Sequence, residues 1–502
     1  MSKKNIIKHT LSMGFATYVS QSVGTVTSIA MRAYLGPTAM GTWTMLQVVL
    51  GYCGYASFGT TRAMTRDYSI LRGKGENEKA EKIRDLTMTF SMLMSFIPAV
   101  IILVCTLWQW HHLEASLRIG FLFLTVFLFL QRFYDIVISL LSSDQLFGIL
   151  SDVTILNAVG MLAVVLFLVR PFGIYGMFLG VALITGGSLA YIYKKKFYEF
   201  KFYWNNRELW NQLRLGLPLI SITFLSTFFQ SLDKLIIAKY LGLKEVGFYS
   251  IAMMIATLVY AIPMAFVHVI FRHTLVKYGK HEDPASIRSH LLKPVMLLSF
   301  LVPFICGISI YAAPPLVIWF LPKFVSGLLP MKIFLMGTFF FLIARIASQV
   351  LTTLDRYWIR FPILALASLL NVGLNFLFIH LGWGLLGVAW GTTLSYIAYG
   401  YLTFGVTERI FTNWRSVGFH LGKITLLLSV LFGGVFVIDR LSWMGSGVAN
   451  FFSKTALLIV FFAPFIWRME KQERILAEVW AAIRKRSAPP LAEDDVLSEG
   501  EG

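Results

Sequence analysis

Tyr34-Leu35-Gly36-Pro37-Thr38-Ala39-Met40-Gly41 returns 206 positions later as Tyr240-Leu241-Gly242-Leu243-Lys244-Glu245-Val246-Gly247. The frame Tyr-Leu-Gly and the glycine five residues on are kept. The same spacing pairs Arg66 with Arg272, Gly73 with Gly279, Lys74 with Lys280 and Glu76 with Glu282. A second block, 211 positions apart, pairs Gly173, Gly176 and Gly180 of GIYGMFLG with Gly384, Gly387 and Gly391 of GLLGVAWG, and Asp144 with Asp355. These identities fall at segment ends, not in apolar middles where composition alone produces matches. The chain therefore reads as two copies of a unit of roughly 200 residues, because self-similarity at this period marks a duplicated structural unit.

The material between the repeated ends is apolar. With 57% hydrophobic residues, 14% charged residues and a mean hydropathy of +0.70, the chain would expose too much apolar surface to be soluble, so its solvent is lipid. A helical span needs about 20 mainly apolar residues. Such stretches lie near 11–33, 40–61, 86–107, 117–141, 148–169 and 173–193 in the first copy. In the second they lie near 213–238, 246–271, 292–312, 329–351, 360–380 and 384–405; two more, near 419–438 and 450–467, lie outside the repeat. The predicted fold is an all-α polytopic membrane protein with about 14 transmembrane helices. Residues 1–200 form one six-helix lobe, 201–410 a second, pseudo-symmetric one, and 411–468 two additional helices. Residues 469–502 form a cytoplasmic amphipathic segment and a disordered acidic tail.

A formal net charge of +18 could suggest a nucleic-acid partner, but the position of the charges argues otherwise. Most of the 44 Lys and Arg residues fall in the N-terminus, in segments 62–85, 194–214, 272–293, 356–360 and 409–423, and after the last span. Those segments alternate along the chain with sparsely charged ones. Positive charge marks the cytoplasmic side, which predicts a multi-pass protein of the cell (inner) membrane with both termini cytoplasmic and no nucleic-acid partner. The opposite loops are too short for an extracellular catalytic domain. No HExxH, GxSxG or Walker-type pattern is present, and His111-His112 with Glu114 reads as an interfacial loop. Cys53, Cys105 and Cys306 lie in apolar segments without CxxC spacing, so neither a disulfide nor a metal site is expected. Because each copy has an even number of spans, both insert the same way up, about an axis along the membrane normal. A cavity between the lobes is the expected place of action.

Ionisable side chains within spans cost about 2.5–3.5 kcal/mol each on insertion scales, so they face a cavity or one another. Arg132 and Asp135, three apart, share a helix face and can pair. Arg345 has no acid near it in sequence. Asp233 and Lys234 are adjacent and point to different faces; one of them should face the cavity, and Asp233, like Asp135, is a candidate for ion coupling. Arg32, near the outer end of the first span, can snorkel to the interface. The repeat-matched Arg66 and Arg272, with Arg62 and His268 a turn earlier, would bring cations from both lobes to the inner mouth, where arginine suits phosphate oxygens. Positive-inside flanking charge explains the same residues. Asn371 and Asn375, four apart, either line a wet cavity or join helices.

Two six-span lobes, two extra spans, a basic start and the Tyr34-Leu35-Gly36-Pro37…Gly41 turn resemble the polysaccharide-export, O-antigen flippase-like branch of the multidrug/oligosaccharidyl-lipid/polysaccharide exporter superfamily. That resemblance implies a flippase, not an enzyme. It would carry an undecaprenyl-pyrophosphate-linked oligosaccharide from the inner to the outer leaflet by alternating access, for cell-surface polysaccharide biosynthesis. The polysaccharide polymerase machinery is the further partner it implies. The lipid II flippase branch shares the fourteen-span plan but keeps cavity arginines early in the first span, and residues 11–31 contain none. A pyrophosphate needs cations and a sugar chain needs amides, supplied on this reading by Arg66, Arg272, Arg345, Lys234, Asn371 and Asn375. Protons, sodium or the membrane potential would drive the cycle, without any cofactor. The alternatives are an ion-coupled small-molecule or drug exporter of the same superfamily and a membrane enzyme that polymerises or ligates lipid-linked sugars.

Overall fold

The computed structural model describes residues 3–281, 288–441 and 447–473, with side chains described for 13–261, 263, 264, 288, 291–441 and 447–467. Among these residues the secondary structure is helical, with no strand. The first helix, α1 (Lys3–Cys53), turns at Gly36 and so contains two predicted spans. It is followed by α2 (Thr60–Gly73), α3 (Asn77–Trp108), α4 (Ala115–Ser143), α5 (Phe147–Val164), α6 (Arg170–Lys195) and α7 (Asn206–Tyr240). Then come α8 (Leu243–His281), α9 (Arg288–Phe320), α10 (Leu328–Thr353), α11 (Arg360–His380), α12 (Gly384–Arg409), α13 (Trp414–Arg440) and α14 (Val448–Glu473). Among the described residues, ten helical stretches are long and apolar enough to cross a membrane. The amphipathic segment and acidic tail expected after the last span lie outside the described residues, apart from the end of α14.

The repeated glycines mark where the chain must turn. Gly36 and Gly242 both have positive φ, 73° and 95°, as do Gly173 and Gly384, at 57° and 52°. A side chain at such a φ is strained and glycine is not, so each copy keeps glycine at the same two bends. The packing repeats as well. A Cβ on Gly180 would strike Val164, and one on Gly391 would strike Asn375, two collisions at positions 211 apart.

Helix α3 displays the effect of lipid as solvent. Phe96, Ile97, Val100, Ile101, Val104, Leu107 and Trp108 are exposed, whereas Ser91, Ser95 and Thr106 are buried. Apolar residues at helical spacing therefore face outward and hydroxyls face in, the reverse of a soluble helix. The start of α7, outside the apolar zone, is capped conventionally: Asn205 Oδ1 accepts from the backbone N–H groups of Arg207 and Glu208 at 3.0 and 3.3 Å. Such a cap satisfies donors that a helix start leaves open.

Two compact units are present, one of residues 1–258, 313–341 and 356–402, the other of 259–312, 342–355 and 403–502. In the first, α4 packs on α1 through Arg132. Its guanidinium donates to the carbonyls of Cys53, at 2.7 Å, and Gly54, at 3.1 Å, while Asp135 accepts instead from Gln131 at 2.9 Å. The expected Arg132–Asp135 hydrogen-bonded pair is therefore not formed. Both carbonyls lie where α1 passes into a 3-10 turn over Gly54–Ser57, and they take the guanidinium. In the second unit, fully buried Glu408 of α12 draws in His420 of α13 at 2.5 Å and Arg288 of α9 at 3.6 Å. Lys454 of α14 similarly bonds the Asp439 carbonyl on α13.

Candidate substrate cavity

A cavity of about 370 Å3 lies in the seam between the two halves of α1 on one side and α7 and α8 on the other. Its polar lining is Arg32, Thr44, Gln47, Thr227, Gln230, Ser231, Lys234 and Ser250. Two pairs of lining positions, Thr44 with Ser250 and Gln47 with Met253, are 206 residues apart, the spacing of the first repeat block. The duplicated hairpins thus present equivalent faces to one space.

Arg32 is 5% exposed and does not snorkel. Its Nε donates to Ser250 Oγ at 3.2 Å, Nη2 to the Ser250 carbonyl at 3.1 Å, and Nη1 to the Ser28 carbonyl at 2.9 Å and to Ser28 Oγ. The Ser250 contacts hold it across the seam, so a charge that sequence position assigned to the interface belongs to the cavity. Lys234 comes from the facing helix α7. Its Nζ donates to the Gln230 carbonyl at 3.0 Å, within its own helix turn. An ammonium has three donors and a guanidinium five, and both groups line the same space.

The seam is packed at either end. Beyond the cavity toward the lysine- and arginine-rich end, Tyr52 bonds Ser231, and Tyr55 bonds Thr227 Oγ1 at 2.5 Å. Phe224 lies against both rings, edge-on to Tyr55 at 5.3 Å. Arg62 reaches across to Thr223 Oγ1 at 3.0 Å, and Gly59 meets Gly216 backbone to backbone. At the other end Gly41 and Gly247 make a comparable approach.

The residues named from sequence are dispersed. Lys234 lines the cavity. Arg66 is exposed on α2, beside Asp67, and it is Arg62, one turn earlier, that reaches α7. Arg272 lies on α8, and its side chain falls outside the described residues. Arg345 is exposed on α10, within electrostatic reach of Tyr260. Asn371 and Asn375 are fully buried. Asn375 Nδ2 donates to Asn371 Oδ1 at 2.9 Å, and Asn371 Nδ2 to Thr392 Oγ1 at 3.5 Å. They join α11 to α12 and do not line the cavity, since an amide in an apolar bundle takes the nearest helix-borne partner. Asp135 is half-buried on α4.

Asp233, the neighbour of Lys234, is 1% exposed. Its Oδ1 accepts the Lys234 backbone N–H at 2.8 Å, and its carboxylate lies beside the hydroxyl of buried Tyr249. Of the adjacent pair, the lysine faces the cavity and the carboxylate the interior of the helix packing. Arg32, Gln47, Gln230 and Ser250 were missed by sequence reasoning. The usable signal was the repeat register: shifting Thr44 and Gln47 by 206 marks Ser250 and Met253 as their counterparts across the seam.

A polytopic helical membrane fold with a cation-bearing cavity between its repeated hairpins defines the class of this protein, and comparison with known proteins agrees. Over 91% of the chain, the fold matches that of the lipid II flippase MurJ in an inward closed conformation, with a TM-score of 0.67, 15% identity and 98% of that structure covered. An inward-facing multidrug resistance MATE family transporter of the MOP superfamily matches over 81% of this chain and 95% of its own, with a TM-score of 0.58 and 15% identity. A MATE structure in a bent conformation matches over 83% and 97%, with a TM-score of 0.52 and 14% identity. No curated protein matches the sequence. The polysaccharide biosynthesis protein family matches residues 70–324. The chain belongs to that family, and the resemblance drawn from its repeats and turn motif holds.

Proposed function

We propose that this protein is a flippase that moves a polyprenyl-pyrophosphate-linked oligosaccharide from the inner to the outer leaflet of the cell membrane by alternating access, serving cell-surface polysaccharide synthesis. The carrying observation is the convergence of Arg32 and Lys234, from the first helix of each repeat, on one cavity. A pyrophosphate presents several anionic oxygens, which a guanidinium and an ammonium bind by charge-assisted hydrogen bonds. Gln47, Gln230 and Thr44 supply amide and hydroxyl partners for sugar hydroxyls. The polyprenyl tail stays in lipid. Family membership and the likeness to a lipid II flippase fold support this reading.

The drug-exporter reading draws on the MATE-like fold. A cavity carrying two cations repels organic cations, which favours the lipid-linked anion. Sparse charge on alternate loops supports cytoplasmic termini by the positive-inside rule. The protein acts as a transporter and not an enzyme, with the polymerase machinery as the consumer of its product. Coupling to protons or sodium is assigned to Asp233, because a carboxylate buried in helix packing is stabilised by binding a cation or a proton. Asp135, whose carboxylate is held by Gln131, is the second candidate.

The test is transbilayer movement of a fluorescent polyprenyl-pyrophosphate oligosaccharide in vesicles containing the purified protein. Movement that Arg32→Ala and Lys234→Ala each abolish supports the assignment. Undiminished movement in both variants rejects the cavity as the head-group site. Uptake of a cationic dye without movement of the lipid would establish the exporter reading instead.

A further inference from the structure

A second cavity, of about 340 Å3, opens at the lysine-rich end of the first repeat. It is lined by α4, α6 and the linker that joins the two repeats after Lys195, and it shares no residue with the seam cavity. Its walls are apolar: Phe133 and Val137 from α4, Leu189 and Ile192 from α6, Tyr198 and Phe200 from the linker.

The walls are held in place from behind. Tyr198 donates its hydroxyl to Asp144 at 2.8 Å, Phe200 meets Phe133 edge-on at 5.5 Å, and the buried Arg84 guanidinium lies 5.4 Å from the Phe200 ring. The cavity is therefore preformed and not a gap between loose side chains.

Lys196 is the one charged residue in the lining, its ammonium 5.7 Å from the Tyr198 ring. Lys194 and Lys195 precede it and are exposed. Tyr193 and Phe197 are 63% and 56% exposed, the placement of aromatic residues at a membrane–water interface. An apolar hole with cations at its mouth, set at that depth, is complementary to an amphiphile with a hydrocarbon chain and an anionic head. A soluble anion leaves the hole unfilled, and a neutral lipid leaves the lysines without a partner.

We propose that this pocket binds one anionic glycerophospholipid of the surrounding bilayer, with an acyl chain between α4 and α6 and its phosphate on Lys196. The bound lipid fastens the linker between the repeats to the first of them. The site is independent of the substrate assignment above, because none of its residues lies in the seam.

Native mass spectrometry of the delipidated full-length protein, offered equal amounts of phosphatidylglycerol and phosphatidylcholine, tests this. The wild type should retain phosphatidylglycerol about fivefold in preference, the scale of one basic residue acting on an anionic lipid. Lys196→Glu should bring the two to parity, and Leu189→Trp, which fills the hole, should remove the retained lipid. Lys74→Glu, which alters a lysine outside the pocket, should leave the preference intact. Equal retention of the two lipids by the wild type overturns the proposal, as does a preference unchanged in Lys196→Glu. Displacement by an equal amount of polyprenyl phosphate overturns the occupant. Should Leu189→Trp fail to fold, the lysine variant decides alone.

Discussion

Gly41 and Gly247, the same residue at the same place in the two copies, pack backbone against backbone: a Cβ on Gly41 would overlap the Leu243 carbonyl, and one on Gly247 the Pro37 carbonyl. The contact is reciprocal, as a two-fold relation between the hairpins requires. It closes the seam at the end opposite Gly59 and Gly216.

Alanine at Gly41 or Gly247 should therefore push the hairpins apart at that end, at a cost of about 1–3 kcal/mol for overpacking. A cysteine placed at Thr44 should become more reactive toward an impermeant maleimide added on that side. Unchanged labelling would mean that the contact does not control access to the cavity.

Gly216→Ala applies the same strain at the other end, against Gly59. Labelling of the Thr44 cysteine should then rise from the basic side and not from the opposite side. A variant that opens both sides together would argue against two separate closures.

Arg32→Lys should retain a charge but lose the bonding across the seam, since a point charge cannot make the divergent contacts of a guanidinium. Lipid movement is expected to fall by about tenfold, the equivalent of one hydrogen bond of about 1.5 kcal/mol. Ser250→Ala, which removes only the side-chain acceptor, should cost less. A Ser250→Ala protein as impaired as Arg32→Ala would shift the role from the cation to the seam contact.

Asn375 stands against Gly391 where the first copy has Val164 against Gly180. Asn375→Val should keep the fold, with melting within a few degrees of the parent, because the valine–glycine version of the contact already exists in this chain. Gly391→Ala should lower stability by about 1–3 kcal/mol through the collision. Collapse of the valine variant would show that the Asn371–Asn375 bond is needed for folding and not only for joining α11 to α12.

Tyr198 lies outside the spans, and burial, together with its bond to Asp144, holds its hydroxyl well above the ordinary tyrosine value. Its ionisation is thus favoured in the unfolded chain. The stability it confers is complete below about pH 10 and is lost as pH rises beyond that. Tyr198→Phe should lose about 1.5–3 kcal/mol at neutral pH, the value of a hydrogen bond to a charged group, and should show a weaker alkaline decline. Parallel melting curves for both proteins from pH 8 to 11 would refute the assignment.

Sequence alone determined the solvent, the span positions and the duplication. Lipid selects apolar stretches of a fixed length, and backbone bends select glycine, so Gly36, Gly242, Gly173 and Gly384 record the turns of both copies directly in the chain. Which charges share a space was left to tertiary structure. Arg32 looks interfacial by its position along a helix, yet bonding to Ser250 carries it into the seam. Arg132 looks paired with Asp135, yet the carbonyls of Cys53 and Gly54 claim it. Asn371 and Asn375 look suited to a wet cavity, yet they bond one another and Thr392. The physical reason is common to all three. A helical period fixes the face on which a side chain stands, but its partner lies on another helix, and a polar group surrounded by lipid and apolar side chains goes to whichever donor or acceptor the packing brings within about 3 Å.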